Sequence, residues 1–288
     1  MELSGKIAVI TGAGSGIGEG TAHALAEAGM HVAVVDLNGD QAERVAGALR
    51  ERGVRALALQ CDVADRGAVD AVADAVYAEF GAVHVLHNNA GIYFPVLLEH
   101  TTDQQWQLTL EVNLNGVING VQAFLPRLIA QGGTAHIVNT ASMGGLTAGR
   151  NLGAYTTTKY AVVGLSEVLR TELAPRDIGV SVVCPASVAT DIFKNSVALA
   201  GGEPPLDLDS PVVDNVDERY RAEATKYRQE LRNLDPMEVG RIIRTGIERN
   251  EPYILTHPEL KFAVEQRGEA LLAAFDRAAA DAAAAAGT

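Results

Sequence analysis

The first 36 residues constrain the fold more than any other stretch of the chain. An apolar run of β type at residues 7–10 leads directly into segment 11–18, which reads Thr-Gly-Ala-Gly-Ser-Gly-Ile-Gly. An alanine-rich helical stretch follows at 19–29, and a second apolar run at 31–35 ends at Asp36. A strand, a glycine-rich turn, a helix, a strand and an acid within about 30 residues are the pattern of a dinucleotide-binding unit.

The chemistry of this unit favours NAD over NADP. Glycines let the backbone approach a pyrophosphate, and the N-terminus of the next helix offers it free N–H groups. The carboxylate of Asp36 can accept hydrogen bonds from both ribose hydroxyls, but it would repel a 2′-phosphate. No Arg or Lys lies in the glycine turn, and Leu37 and Asn38 follow Asp36. A lone glycine motif could also be an ordinary tight turn beside a surface carboxylate; here the strand–helix–strand context argues for the binding unit.

Strands and helices continue to alternate along the chain. Further apolar runs at 55–63, 83–87, 135–139 and 180–184 are separated by helical stretches at 41–53, 68–80, 106–125 and 155–173. This alternation predicts a single α/β domain of Rossmann type over residues 1–288, a doubly wound parallel sheet with helices on both faces. Ligands of such folds bind beyond the carboxyl ends of the strands. The segments that follow predicted strands are 12–18, Asp36, Asp62, 88–91, Ser142 and Pro185.

Composition and charge exclude several classes of protein. The net charge is −13 and no basic run occurs, which argues against binding to nucleic acid or an anionic membrane. No apolar run reaches the roughly 18 residues of a spanning helix, and the N-terminus lacks a signal-peptide pattern. Cys61 and Cys184 form no C-x-x-C or zinc pattern, and the seven histidines show no ligand spacing. We therefore expect a cytoplasmic protein without a catalytic metal.

Tyr155 and Lys159 form a candidate proton-transfer pair. They lie four residues apart in a stretch with helical spacing of apolar residues, so their side chains share one face. A free tyrosine has a pKa near about 10, and a nearby cation lowers that pKa by favouring the phenolate. The pair could then exchange a proton with an alcohol near neutral pH. Taken alone, such a pair is weak evidence, because most Tyr-x-x-x-Lys pairs lie on solvated helix surface.

Together these segments resemble the short-chain dehydrogenase/reductase family from about Lys6 to Thr190. The motifs that carry the resemblance are segment 11–18, Asp62-Val63, Asn88-Asn89-Ala90-Gly91, Asn113-Leu114-Asn115-Gly116, Ser142, and Tyr155 with Lys159. Ser142 precedes Tyr155 by 13 residues, which is the usual interval in the family. The resemblance implies an NAD-dependent dehydrogenase that acts on an alcohol or the corresponding ketone.

The resemblance also implies a role for each catalytic residue. Tyr155 would take the proton of the substrate hydroxyl as a hydride leaves for the nicotinamide, and Ser142 would orient the same oxygen. Lys159 would hold the nicotinamide ribose and lower the pKa of Tyr155. Asn113 would sit at a break in its helix and help hold a water that connects Lys159 to solvent; Asn115 is the less favoured candidate. In isolation, Ser142 could be a turn hydroxyl and Asn113 an ordinary polar residue inside a helix.

Cofactor contacts follow from the same resemblance. Asp62 would bond the adenine amino group, Val63 would offer its backbone N–H, and residues 89–91 would back the adenosine ribose. The expected cofactor-binding residues are Gly12, Gly14, Ser15, Gly16, Ile17, Gly18, Asp36, Leu37, Asp62, Val63, Asn89, Ala90, Gly91, Tyr155, Lys159, Pro185, Val188 and Thr190.

The nicotinamide end departs from the family in one position. Ala186 follows Pro185 where the family usually has glycine, and it restricts the backbone of this loop. The main chain of Val188 and the hydroxyl of Thr190 would still be able to bond the carboxamide.

The loops that would contact the substrate are largely apolar. They predict a bulky secondary alcohol or ketone, with aryl-bearing and steroid-like compounds as candidates, rather than a sugar or a short acid. The expected substrate-binding residues are Tyr93, Phe94, Ser142, Met143, Ile192 and Phe193. Arg150 is the single nearby cation in this reading. Residues 191–235 are predicted to form a substrate lid, with a surface insertion as the alternative, and residues 265–288 an alanine-rich helical tail.

Two other functions and an oligomeric state complete the expectations. A relative with epimerase or dehydratase chemistry would usually carry another glycine rhythm and a larger C-terminal domain. A non-catalytic NAD-sensing regulator would be expected to lose Ser142, Tyr155 or Lys159, all of which are present. The resemblance implies a homo-oligomer, most simply a tetramer. The helix of Tyr155 supports this, because it carries apolar residues on more than one face: Val162, Val163, Leu165, Val168 and Leu169.

Overall fold

Seven parallel strands form a single sheet in the computed structural model, which describes residues 1–201, 217–229 and 232–286. The strands are β1 Ile7–Thr11, β2 His31–Asp36, β3 Ala56–Gln60, β4 Val85–Asn88, β5 Ala135–Thr140, β6 Ile178–Cys184 and β7 Tyr253–Leu255. Their order across the sheet is β3-β2-β1-β4-β5-β6-β7. Every neighbouring pair is parallel, as the alternating sequence predicts.

Helices connect these strands and cover both faces of the sheet. Within the described ranges they are α1 Gly16–Glu27, α2 Gly39–Glu51, α3 Arg66–Phe80, α4 Asp103–Leu110, α5 Gly116–Gln131, α6 Gly153–Leu173, α7 Ile192–Ala200, α8 Arg221–Gln229, α9 Pro236–Arg249 and α10 Lys261–Ala286. On one face α1, α2 and α9 bury Leu25, Leu49 and Ile243. On the other, α3 and α5 bury Val76 and Phe124. The doubly wound fold predicted from the sequence is confirmed.

The strand order determines where a ligand can bind. β1 lies between β2 and β4. The chain therefore moves from β1 to β2 and β3 on one side, and then from β4 to β7 outward on the other side. A crevice opens at such a switch point beyond the carboxyl ends of the strands. The glycine-rich turn after β1 and the segment after β4 flank this crevice.

Helices α1 and α9 touch backbone to backbone at two glycines. A Cβ atom added at Gly20 would collide with the carbonyl oxygen of Pro236, and one added at Gly240 would collide with that of Gly20. Both glycines are buried. This contact holds the helix that begins at the glycine-rich turn against the C-terminal part of the chain.

One predicted helix is interrupted in the structure. The sequence predicts a continuous helix at 106–125, but α4 ends at Leu110 and one wide π-helical turn, Glu111–Asn115, separates it from α5. The start also lies earlier than predicted. Thr102 caps α4, because its hydroxyl accepts from the Gln105 N–H at 3.2 Å while the Gln105 side chain accepts from the Thr102 N–H at 3.0 Å. The insertion in the helix carries Asn113, the residue at which the family resemblance, unlike the helical periodicity, implies a break.

The two ends of the predicted lid lie close together, just beyond the carboxyl end of β6. Val188 and Leu234 form an isolated parallel bridge, in which the Leu234 N–H donates to the Ser187 carbonyl at 3.1 Å and the Ala189 N–H donates to the Leu234 carbonyl at 2.9 Å. Residues 202–216, 230 and 231 of the predicted lid, which include the apolar Val216 and Leu231, lie outside the described residues.

The C-terminal tail is helical over Lys261–Ala286 and buries only Phe262 among its described side chains. Phe275 is 75% exposed near its end. Across the described residues, none of the helices combines the length and the apolar character needed to span a bilayer.

Candidate active site

A cleft of about 1550 Å³ runs along the carboxyl ends of the strands. That volume exceeds the roughly 300–1,000 Å³ of a typical small-molecule pocket, so a dinucleotide and a substrate could share it. The predicted cofactor-binding residues on its wall are Gly12, Gly14, Ser15, Gly16, Ile17, Asp36, Leu37, Asp62, Val63, Asn89, Ala90, Gly91, Tyr155, Lys159, Pro185, Val188 and Thr190. The structure brings together residues that come from five separate strand ends.

The glycine-rich turn forms a cradle that side chains would fill. Gly12 has φ +62°, and a Cβ atom there would lie 2.8 Å from the Cα of Ala90. Gly16 has φ +55°, and a Cβ atom there would lie 3.0 Å from the Thr190 methyl carbon. The first turn of α1 is uncapped, since Ser15 makes no side-chain capping bond. The turn thus offers backbone N–H groups at close range, which fits a pyrophosphate.

Gly18 differs from the other glycines of the turn. It is absent from the cleft wall, and a Cβ atom there would collide with the Gly12 carbonyl oxygen. Its place in the structure is to let α1 approach β1, so we correct the expectation that it contacts the cofactor directly.

Asp36 is held at the end of β2 by the backbone around it. One carboxylate oxygen accepts from the Gly14 N–H at 2.8 Å and the other from the Asn38 N–H at 2.9 Å. The carboxylate therefore ties the glycine-rich turn to the second strand while facing the cleft. Arg44 of α2 also lies on the wall and donates to the Gly14 carbonyl at 2.8 Å. The sequence analysis missed this cation, although its three-residue spacing from Gln41 places both on one face of α2.

Asn89 fastens the ends of β1 and β4 to each other. Its amide donates to the Thr11 carbonyl at 3.0 Å, and its backbone N–H donates to the Thr11 hydroxyl at 2.9 Å. The Ala90 N–H donates to the same hydroxyl at 3.1 Å. These bonds fix the floor of the cleft beneath the glycine-rich turn.

Ser142 and Tyr155 both line the far end of the cleft. Ser142 follows β5, where its hydroxyl accepts from the Gly144 N–H at 3.1 Å and donates to the Pro185 carbonyl at 3.3 Å. Tyr155 lies in the first turn of α6. Two hydroxyl groups from separate elements thus face one point of the cleft.

Lys159 is buried one turn beyond Tyr155. Its ammonium donates to the Thr140 carbonyl at 2.9 Å and lies 5.4 Å from the centre of the Tyr155 ring. Burial lowers the pKa of Lys159 to about 8. Burial also raises the pKa of Tyr155 above its ordinary value, and the Ser142 hydrogen bond offsets part of that increase. The net shift of the Tyr155 pKa in this structure is upward, because desolvation of the phenolate is the larger effect.

Asn113 acts on the loop after β4. Its side-chain oxygen accepts from the Ile92 N–H at 2.7 Å, and its amide donates to the Ile92 carbonyl at 2.9 Å. The residue is completely buried, whereas Asn115 is exposed. The π-helical turn widens the helix at this point and lets the amide reach the backbone of Ile92. Sequence reasoning predicted the break but not this bidentate contact.

The substrate end of the cleft contains only part of the predicted set. Tyr93, Met143 and Ile192 lie on its wall, and the Tyr93 ring meets the Tyr155 ring edge-on at 5.3 Å. Phe94 and Phe193 are not on the wall, which corrects both expectations. Phe94 packs into a separate small cluster with Ile92 and Val96. Apolar wall residues that the sequence analysis missed are Leu108, Val112, Leu152 and Leu199.

Charged residues at this end also differ from expectation. Arg150 is exposed and absent from the wall, while Lys194 of α7 lies on it. No group of three or more His, Cys, Asp or Glu side chains among the described residues could hold a metal ion.

Among the described residues of the predicted lid, Asp191 and helix α7 reach the cleft. Ser196, completely buried on α7, accepts from the Tyr93 N–H at 2.8 Å and donates to the Ile192 carbonyl at 2.6 Å. In contrast, α8 contributes no described side chain to the wall, and its Ala224 packs against Phe262 at the start of α10. Nothing in the sequence pattern distinguishes Ser196 from an ordinary helical serine.

The fold and this site together define a nucleotide-dependent oxidoreductase. The family model for short chain dehydrogenases matches residues 6–199. The chain therefore belongs to the short-chain dehydrogenase/reductase family, and it is an oxidoreductase that acts on CH–OH groups with a nicotinamide cofactor.

Named relatives cover most of the chain. It is 33% identical over 272 residues to a C alpha-dehydrogenase from Sphingobium sp., which covers 94% of this chain and 87% of that protein. It is 42% identical over 193 residues to a D-threitol dehydrogenase from Mycolicibacterium smegmatis, covering 67% and 74%. A crystal structure of a short chain dehydrogenase/reductase from Burkholderia phymatum in complex with NAD is similar with a TM-score of 0.80 at 34% identity, covering 94% of this chain and 95% of that chain.

Proposed function

We propose that this protein is an NAD(H)-dependent dehydrogenase of bulky, largely apolar secondary alcohols, or a reductase of the corresponding ketones. The observation that carries the proposal is the arrangement of Ser142, Tyr155 and Lys159 at one end of a cleft that holds Asp36 at the other. Alcohol chemistry needs a proton acceptor beside the substrate oxygen, and the two hydroxyl groups converge where that oxygen would bind. The NAD-bound neighbour supports the choice of cofactor.

Each residue has a task that its contacts make possible. Tyr155 takes the proton of the alcohol at its phenolic oxygen, and Ser142 orients the alcohol oxygen with its hydroxyl. Lys159 places a positive charge 5.4 Å from the Tyr155 ring, which stabilises the phenolate that accepts the proton. When bound, NAD would supply the acceptor for the hydride that leaves the alcohol carbon. Asp36 and the glycine cradle would hold its adenosine half, and Thr190 and Val188 its nicotinamide end.

A graded series of alcohols tests the substrate class. With NAD present, kcat/KM should rise by about tenfold or more from 2-propanol to 1-phenylethanol, because Tyr93, Met143 and Ile192 bury added apolar surface. NADH absorbance measures the rate. D-threitol serves as the polar comparison, since one relative is named for it. If D-threitol or a hydroxy acid gives the highest kcat/KM, the apolar substrate class is refuted while the dehydrogenase assignment stands.

The pH profile should depend on the direction of the reaction. Alcohol oxidation needs the unprotonated phenol, so kcat/KM should rise with pH in the alkaline range, because burial raises the pKa of Tyr155. Ketone reduction needs the protonated phenol and should slow over the same range. Burial also lowers the pKa of Lys159 to about 8, so this ammonium loses its charge in the alkaline range as well. If kcat/KM does not change with pH in either direction, for a substrate that does not itself titrate, Tyr155 is not the acid–base group.

Ser196 is predicted to position the substrate wall. Replacing Ser196 with alanine leaves the buried Tyr93 N–H without its partner and loosens α7 from the Tyr93 loop. We expect KM for a bulky alcohol to rise about three- to tenfold, with the dissociation constant for NADH unchanged within about twofold. Thr245→Ala is the matched control, because its exposed hydroxyl bonds only the Arg241 carbonyl one turn back. An equal KM in both variants would mean that the Ser196 contact does not shape the substrate site.

The alternatives from the sequence remain distinguishable by experiment. A non-catalytic NAD-sensing regulator would bind NADH but turn over no alcohol in the series. An epimerase or dehydratase would consume substrate without net change in NADH absorbance. The presence of Ser142, Tyr155 and Lys159 in one cleft favours the dehydrogenase.

We further propose a homotetramer in the cytoplasm, with residues 191–235 as a substrate lid. Val168 of α6 is 55% exposed, so the Tyr155 helix is not buried all round within one chain and has an apolar side chain for a partner copy to cover. Light scattering gives the mass directly. Both cysteines are free and buried, which fits a reducing compartment.

A further inference from the structure

Arg44 lies at the corner of the cleft where the adenosine ribose of the proposed cofactor would bind. Its two terminal nitrogens donate to the Glu19 carboxylate at 2.8 and 2.9 Å. One of them also donates to the Gly14 carbonyl at 2.8 Å, and the remaining nitrogen donates to the Gln41 side-chain oxygen at 2.7 Å. Asp36 bonds the N–H of the same Gly14, so the two charged groups hold one glycine from both sides.

Four of the five N–H groups of the guanidinium are engaged in this arrangement. A bidentate pair with a carboxylate is the strongest form of arginine ion pair, and all three nitrogens of Arg44 have partners. With Arg44 neutralised by Glu19, the charge that remains at this corner is that of Asp36. Because burial lowers the pKa of His23, 4.0 Å from Glu19, that imidazole supplies no positive charge near neutral pH. A 2′-phosphate brought here would meet a net negative charge.

We propose that Glu19 is a specificity-determining residue that discriminates against a 2′-phosphorylated dinucleotide by keeping Arg44 engaged. Without Glu19, Arg44 would lose its carboxylate partner and place an unpaired positive charge at the wall beside Asp36, which is suited to a phosphate. The inference rests on the proposed use of NAD and deepens it. Asp36 repels the 2′-phosphate, and Glu19 holds Arg44, the cation that could bind this phosphate, in an ion pair.

The test measures dinucleotide binding without substrate. NADPH and NADH dissociation constants are obtained by fluorescence titration for Asp36→Asn, Glu19→Ala, the double variant, and the triple variant with Arg44→Gln added. Asp36→Asn removes the charge while keeping an oxygen for the Gly14 N–H. The double variant should bind NADPH at least about tenfold more tightly than Asp36→Asn, because a charge-assisted bond to phosphate is regained. Adding Arg44→Gln should abolish that gain.

A second ion pair on α2 provides the matched control. Glu43 and Arg50 lie 2.8 Å apart, are exposed, and are absent from the cleft wall. Glu43→Ala in the Asp36→Asn background also removes the carboxylate partner of an arginine on α2, but away from the cleft, so NADPH affinity should stay unchanged within about twofold. Thermal unfolding of each variant verifies that the fold persists.

Each outcome decides between two statements. If Glu19→Ala leaves NADPH affinity unchanged in the Asp36→Asn background, or if the gain survives Arg44→Gln, the role of Glu19 is overturned while NADH binding by the parent protein keeps the proposed function intact. If the parent protein binds NADPH more tightly than NADH, or binds neither, the proposed cofactor and the role of Glu19 both fail.

Discussion

Replacing Tyr155 with phenylalanine is expected to lower kcat for alcohol oxidation by about 10²- to 10⁴-fold. The substitution removes one hydroxyl group and keeps the ring that packs edge-on against Tyr93 at 5.3 Å. It therefore deletes the proposed proton acceptor without opening a large cavity. Affinity for NADH should remain within about twofold, because the glycine cradle, Asp36 and Lys159 are unchanged. Steady-state rates and a fluorescence titration with NADH measure the two quantities separately.

Tyr160→Phe is the control for this prediction. Tyr160 lies on the same helix, five residues further, and its ring packs under the Arg267 guanidinium at 5.2 Å rather than facing the cleft. Removing the Tyr160 hydroxyl group should leave kcat within about twofold of the value for the parent protein. Should Tyr155→Phe retain more than about a tenth of the activity, proton transfer takes place at another group and the proposed mechanism is wrong.

Adding one methyl group at Gly20 is expected to destabilise the protein strongly. The new Cβ would collide with the Pro236 carbonyl oxygen, and backbone cannot move aside as a flexible side chain can. Overpacking of this kind costs about 1–3 kcal/mol or more, which for a chain of this size lowers Tm by roughly 3–10 °C. Gly240→Ala should act similarly, since its Cβ would strike the Gly20 carbonyl from the opposite helix. Circular dichroism on heating measures both.

Two other helical glycines are matched controls for this effect. Gly47 in α2 and Gly164 in α6 have no atom within 4 Å of an added Cβ. Alanine at either position should leave Tm unchanged or raise it, because alanine favours a helix by about 1 kcal/mol over glycine. If Gly20→Ala unfolds at the same temperature as Gly47→Ala, α1 and α9 are not in backbone contact.

Local sequence patterns predicted the elements with two kinds of error. The ends of helices differ from the prediction where the capping residue lies outside the apolar pattern. Thr102 caps α4, so this helix begins at Asp103, three residues before its predicted start at Trp106. The π-helical turn at Glu111–Asn115 was invisible to periodicity, because one inserted residue changes the spacing only slightly over a long helix. The direction of the Phe94 ring is not predictable because a loop sequence has no periodicity, and that of Phe193 is not predictable because the sequence analysis predicts no helix at α7.

The sequence by itself determined the fold class, the edge of the sheet that carries the site, and the main chemical groups at that edge. It could do so because strand and helix periods are local, and because parallel strands place their carboxyl ends together whatever the order of the strands. The tertiary structure decided the contacts between residues far apart in the chain. Tyr93 and Ser196, separated by 103 positions, meet only because α7 packs over the loop after β4. Gly20 and Gly240 touch only through the angle of two helices, and the raised pKa of Tyr155 follows from burial that no local pattern encodes.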